Sequence, residues 1–168
     1  MVSEMTLHFG YGSNLWFEQM NERCPDNIRK GKGILKNYKW IIAERPGRGA
    51  ANIIESQGDF VEGYVFILNQ KDEASLDKDE AVGEPGRYIK NYLEIEMDGI
   101  TESNVMTYVD TNNVHDATEE TRLQVNKKPY WCKVECECTY GSRINKGIRD
   151  SGLSEEYVQK YIRKFIDD

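Results

Sequence analysis

The sequence predicts an α+β fold: a mixed, mainly antiparallel sheet, curled or closed, with helices packed against it. Three observations carry this. Apolar residues alternate with polar or small ones at period 2 in several separate segments. The helical segments fall unevenly between those strands. Most connections are short and lack the regular strand–helix alternation of a doubly wound parallel sheet. With 168 residues, 39% hydrophobic and 11% aromatic, the chain can build one core, and a single domain over residues 1–168 is expected.

The elements follow in order. Met5, Leu7, Phe9 and Tyr11 alternate, which marks 5–11 as the first strand. Ser13, after Gly12, can cap a helix over about 14–23. Tyr38, Trp40 and Ile42 mark a strand over 33–44, and 50–55 reads as a shorter one. Residues 60–68 are rich in β-branched and aromatic types, with Gly63 suggesting a bulge or bend. Residues 72–82 read as a helix, since Asp72 and Glu73 suit its positive end and Leu76 anchors it. Strands return over 87–97 and 105–109, and 110–128 is a long polar excursion, partly helical. Ser154 caps a closing helix whose buried stripe is Tyr157, Val158, Tyr161, Ile162, Phe165 and Ile166.

Charge and composition exclude several functions. The chain carries 22 basic and 29 acidic side chains, a net charge of −7, so it repels a phosphate backbone and no nucleic-acid partner is expected. No apolar run is long enough to span a bilayer, so no membrane association is expected. The first residues lack a secretion leader's basic and apolar regions, which implies a cytoplasmic protein with Cys24, Cys132, Cys136 and Cys138 reduced. Cys132, Cys136 and Cys138 alternate on one strand face and read as core. With only His8 and His115 available, and no second Cys pair, no metal is expected. A homodimer stays open.

Two segments can carry chemistry. Gly10-Tyr-Gly-Ser-Asn-Leu15 joins a strand to a helix start, where free N–H groups and the helix dipole favour an anion or a carbonyl oxygen. It lacks the third glycine of a dinucleotide fingerprint and the Gly-Lys-Ser/Thr of a phosphate loop, so a small carboxylate or polarised carbonyl fits better. In Ser75-Leu-Asp-Lys-Asp-Glu80, Glu80 shares a face with Leu76, while Asp79 is rotated away. A carboxyl on an inward face is desolvated and suits general acid/base work; the plain alternative is a solvated acidic face. Arg45, Arg48 and Arg87 flank turns and are candidate carboxylate partners. A Ser13–His8–acid triad lacks the strained serine elbow.

In this order and spacing, Tyr11-Gly-Ser-Asn-Leu15, the strand end Phe66-Ile-Leu68, Ser75-Leu-Asp-Lys-Asp-Glu80 and Tyr88 resemble the γ-glutamylcyclotransferase family. Tyr140, Gly147, Asp150-Ser-Gly-Leu153 and Tyr157 are similar to the family's C-terminal pattern, so the resemblance spans roughly 6–109 and 139–162. It implies a small β-barrel with flanking helices and a cofactor-free enzyme that releases 5-oxoproline from a small γ-glutamyl substrate. It implies Glu80 as the catalytic acid. His8, Phe9, Gly10, Tyr11, Gly12 and Ser13 would cradle the glutamyl part, with Tyr88 and Tyr140 as further binding residues. Ala81 stands where the family usually has glycine, and Gly83-Glu-Pro-Gly86 displaces Tyr88 by one position. Asn14 is closer to the branch acting on γ-glutamyl amino acids than to the glutathione-specific branch. Two other readings remain: a non-catalytic module binding a small acidic ligand, and a serine hydrolase at Ser13.

Overall fold

A computed structural model describes residues 4–130 and 138–168. Strand β1 (Thr6–Gly10) leads through a 3₁₀ turn (Ser13–Leu15) into helix α1 (Phe17–Arg23). Strands β2 (Ile28–Ala43) and β3 (Ala50–Leu68) form a long hairpin, followed by α2 (Gln70–Asp79) and a second hairpin, β4 (Ile89–Met97) and β5 (Ile100–Val109). Then come α3 (Glu119–Lys127), a short pair β6 (Pro129–Tyr130) and β7 (Cys138–Thr139), α4 (Tyr140–Ser151), and α5 (Glu155–Tyr157), which runs into a π turn over Val158–Ile162.

The first five strands close into a barrel in the order β1-β3-β2-β4-β5. All neighbours are antiparallel except β1 and β5, which meet in parallel at His8 and Met106. The expected α+β architecture and small, mixed, mainly antiparallel barrel are therefore present. The segments 50–55 and 60–68 are one strand of 19 residues, long enough to pair with β2 along most of its length and with β1 at its far end.

Gly63 marks no bulge. It lies in register with Gly33, while the ladder shifts fall at Arg29/Gly31 and Lys36/Tyr38. A Cβ on Gly63 would stand 2.5 Å from the Phe9 ring and 2.4 Å from the Gly10 carbonyl oxygen. The missing side chain lets a core ring and the first strand cross close to β3. The excursion over 110–128 contains α3, which Thr118 caps by accepting from the Thr121 N–H. The closing stripe behaves as its spacing predicts: Tyr157, Val158, Tyr161, Ile162, Phe165 and Ile166 are all buried in the larger core, against residues such as Trp40 and Leu15. A second core, with Met20, Cys24, Phe66, Leu76 and Tyr108, lies under α1 and α2. Cys138 is buried as expected; Cys132 and Cys136 lie outside the described residues. Among the described residues, no helix is long and apolar enough to cross a membrane.

Candidate active site

The site is built where β1 ends. The main chain leaves the barrel at Gly10, and the Tyr11 carbonyl accepts from the Trp40 indole N–H at 2.9 Å, which fixes the exit. Ser13 is not the expected cap of α1. It opens a separate 3₁₀ turn in which the Leu15 and Trp16 N–H groups bond to the Gly12 and Ser13 carbonyls, and its hydroxyl accepts from Gln19. The N–H groups of Ser13 and Asn14 precede the first of those bonds, and the cap position is Gly12, which has no side chain to offer them.

Helix α4 braces this turn from behind. A Cβ on Gly147 would fall 2.5 Å from the Leu15 Cβ and 2.9 Å from the Leu15 carbonyl carbon, so the two main chains touch where only glycine fits. Ser151 Oγ donates to the Leu15 carbonyl at 2.9 Å, and the Phe17 N–H donates to Asp150 at 3.0 Å. Gly147, Asp150 and Ser151 are thus a support for the loop rather than part of its lining.

Opposite the turn stands α2. Its cap is Asn69, whose side chain accepts from the Asp72 N–H, so the helix runs over 70–79 rather than 72–82. Glu80 is the residue that terminates it. Buried Leu76 pins the helix to the smaller core, and Ser75 Oγ donates to the Arg23 carbonyl at the end of α1. Lys90 holds Glu73 and Asp77 at 2.7 and 2.8 Å, and Tyr108 donates to Asp77 at 2.7 Å, which clamps the helix to β4 and β5.

These two anchors place the Glu80 carboxylate in reach of the turn. Its Oε1 accepts from Asn14 Nδ2 at 3.1 Å and lies 3.4 Å from Arg23 Nη1. Asn14 Oδ1 in turn accepts from Arg23 at 2.9 Å and Gln19 at 3.4 Å. The Glu80 side chain is only 14% exposed. Burial pushes its pKa above the ordinary carboxylate value, although Arg23 and the Asn14 hydrogen bond pull the other way. Asp79 is not rotated fully away as its spacing predicts. It lies at the rim of the same cavity, 3.8 Å from the Arg23 Nε.

Between turn and helix is a cavity of about 110 Å³. Its lining includes Glu80, His8, Phe9, Gly10, Tyr11, Gly12, Ser13, Tyr88 and Tyr140. Three tyrosines are held by the main chain. Tyr11 donates to the Tyr108 carbonyl at 2.6 Å, Tyr88 donates to the Ala51 carbonyl at 2.6 Å, and the Tyr140 hydroxyl accepts from the Ala51 N–H at 3.0 Å. Burial raises all three phenol pKa values, so they are neutral hydrogen-bonding groups. The insertion before Tyr88 has not taken it out of the site. His8 Nδ1 meets the Met106 carbonyl at 3.1 Å and must be its donor, while burial pushes the imidazole pKa down to about 4.

Of the three arginines singled out in the sequence, Arg48 lines the cavity. Arg45 is buried against Asp110 at 2.8 Å and stacks on the Tyr88 ring at 4.5 Å, supporting that ring. Arg87 is exposed and outside the lining. Sequence reasoning missed Arg23 and Arg143, which also line the cavity. Arg143 sits on α4 one turn after Tyr140, a spacing that puts both on one face; recognising the helix would have found it. Among the described residues no cluster of His, Cys, Asp and Glu could hold a metal ion.

The model of the AIG2-like family matches residues 60–161. The protein named gamma-glutamylcyclotransferase from Bos taurus is 29% identical over 164 residues, covering 94% of this chain and 77% of its own length. Its namesake from Homo sapiens is 27% identical over the same coverage. A solved structure named gamma-glutamyl cyclotransferase superposes with a TM-score of 0.71 at 25% identity, over 98% of this chain and 89% of the other. A crystal structure of a Homo sapiens protein described as uncharacterized gives 0.73 at 26% identity, over the same shares.

Proposed function

Because the chain belongs to the AIG2-like family, we propose that it is a cofactor-independent γ-glutamylcyclotransferase, releasing 5-oxoproline from a γ-glutamyl amide with Glu80 as general acid/base. The relatives that bear this name support the reading. The observation that carries it is a desolvated carboxyl group, Glu80, hydrogen-bonded to a residue of a glycine-containing turn in the wall of a cavity the size of a small substrate.

The chemistry follows from the substrate. A γ-glutamyl group carries its own nucleophile, so the tether has already removed most of the entropy cost of bringing reactants together. The α-nitrogen bonds to the δ-carbon, a five-membered ring closes, and the bond from that carbon to the leaving nitrogen breaks. The α-nitrogen enters as an ammonium and ends as a ring amide, losing two protons. The leaving nitrogen enters as an amide and ends as an ammonium, gaining two. A carboxyl group with a raised pKa can accept at one nitrogen and donate at the other, which typically contributes about 10²–10⁴-fold. The N–H groups of Ser13 and Asn14 would stabilise the oxyanion at the δ-carbon, each such donor being worth on the order of 3 kcal/mol in comparable sites. Arg48 and Arg143 supply positive charge for the substrate's α-carboxylate.

The reading is tested by incubating the protein with a panel of γ-glutamyl amides in H₂¹⁸O and following products by mass spectrometry. Cyclisation gives unlabelled 5-oxoproline, because no water enters the product. ¹⁸O-labelled glutamate would mean hydrolysis, and no product at all would favour a binding module.

A further inference from the structure

A second cavity adjoins the first, and most of its lining has no part in the cyclisation. The two share Arg48 and Tyr140 as a common wall. Beyond that wall the lining is mostly apolar, with Gly49, Val125 and Pro129, and Lys128 stands at its edge. We propose that this second cavity is a specificity subsite for the departing amine, selecting an uncharged aliphatic side chain. The proposal rests on the cyclisation reading above.

The first cavity has a function for each end of a glutamyl group, and the group that hangs from the δ-carbon lies beyond them; Arg48 and Tyr140, which line both cavities, are where the two meet. Tyr140, its hydroxyl fixed by Ala51, presents that wall. The far side is preformed. Helix α3 is docked to the end of β2 because the Thr118 N–H and the Thr121 hydroxyl both donate to the Glu44 carboxylate, each at 2.7 Å. Its other end is tied down by Asn126 Nδ2, which donates to the Phe165 carbonyl at 2.8 Å. A Cβ on Gly49 would stand 3.2 Å from Val125 and closer still to Thr121 and Ile42, so the turn after β2 lies hard against the helix. This gives the polar excursion after β5 a function: it supplies the floor of a pocket rather than filling space.

Size and charge define the ligand. The cavity is about 120 Å³. A dry apolar cavity of about 150 Å³ accepts benzene, so a branched aliphatic side chain is of the size this space takes. Lys128 stands at the edge of the space and repels a cationic side chain.

The test compares kcat/KM for γ-glutamyl-leucine, γ-glutamyl-glycine and γ-glutamyl-lysine linked through its α-amine. Leucine is expected to exceed both others by about tenfold or more, the usual value of a few methylenes in an apolar pocket. Val125→Phe fills the pocket and should bring the leucine-to-glycine ratio towards one. Gln124→Trp, on the half-exposed part of the same wall, should do the same and keeps the test sound if the core substitution does not fold, as judged by circular dichroism. Equal rates for leucine and glycine in the wild type overturn the subsite, as does a leucine-to-glycine ratio that a folded variant leaves unchanged. Absence of 5-oxoproline from every substrate overturns the cyclisation reading itself, a different failure.

Discussion

Two buried titratable side chains face the same cavity, and burial shifts their pKa values in opposite directions. Glu80 is neutral more readily than an ordinary glutamate because burial penalises its charge. His8 is neutral because burial penalises the imidazolium, holding its pKa at about 4 against an ordinary 6.5. For His8 the sign is definite. Below pH 6.5 the unfolded chain binds a proton that the folded one refuses, so stability is lost as pH falls from about 6.5 towards 4. A shift of this size corresponds to about 3 kcal/mol. Denaturant titrations of wild type and His8→Leu should therefore converge on acidification and separate again towards neutrality; a constant difference across that range would show that His8 takes up its proton in the folded state. The roles of His8 and Glu80 differ in how far the sequence disclosed them. Glu80 could be found from its spacing to Leu76. The His8 environment depends on the parallel contact with Met106, which no local pattern contains.

At the scale of elements, a turn and a helix end are held to each other by parts distant in sequence. Gly147→Ala forces a Cβ into the Leu15 main chain, and that backbone cannot give way without moving Ser13 and Asn14. We expect a loss of about 1–3 kcal/mol of stability, as for other overpacked contacts, together with a fall in kcat/KM measured after correcting for the folded fraction. The end of α2 makes the opposite prediction. Ala81 adopts a left-handed conformation, φ 55°, immediately after Glu80. An alanine pays about 1–2 kcal/mol there, while glycine would lose about 0.4–1 kcal/mol through the unfolded chain. Ala81→Gly should therefore raise the melting temperature slightly, and a fall would show that the turn does not require this geometry. Helix α4 itself was missed. Its signals were in the sequence all the same: Tyr140, Ile144 and Ile148 repeat every four residues on one face, Thr139 caps the start and Gly152 ends it in a left-handed conformation; two internal glycines masked the pattern. The turn between β4 and β5 did carry a signal, since Asp98-Gly99 is a hairpin dipeptide and both residues have positive φ.

Across the whole molecule, the barrel's order brings the strand that opens the chain next to the strand that closes the sheet, and the helices then fasten the site from outside. Alternation along 5–11, 33–44 and 60–68 and the closing stripe at 157–166 were enough to predict an α+β sheet with helices against it, because each reports one local face. Closure was not predictable from those faces alone, since β2 meets β4 in register only at Ile34 and Glu96. Nor was the clamp of Lys90 and Tyr108 on α2, which joins residues from three elements. Arg23, Arg48 and Arg143 line the cavity beside Asp79 and Glu80, so a chain of net charge −7 gathers three basic side chains at this one place, and the proposed carboxylate contact uses two of them. All of this arrangement converges on one carboxyl group. The most direct measurement is the rate of 5-oxoproline formation by Glu80→Gln, with circular dichroism confirming the fold: glutamine keeps the shape and the hydrogen bonding but cannot carry a proton between the two nitrogens. A rate at least about 100-fold below wild type in a folded protein is the predicted result, and turnover equal to wild type would contradict it.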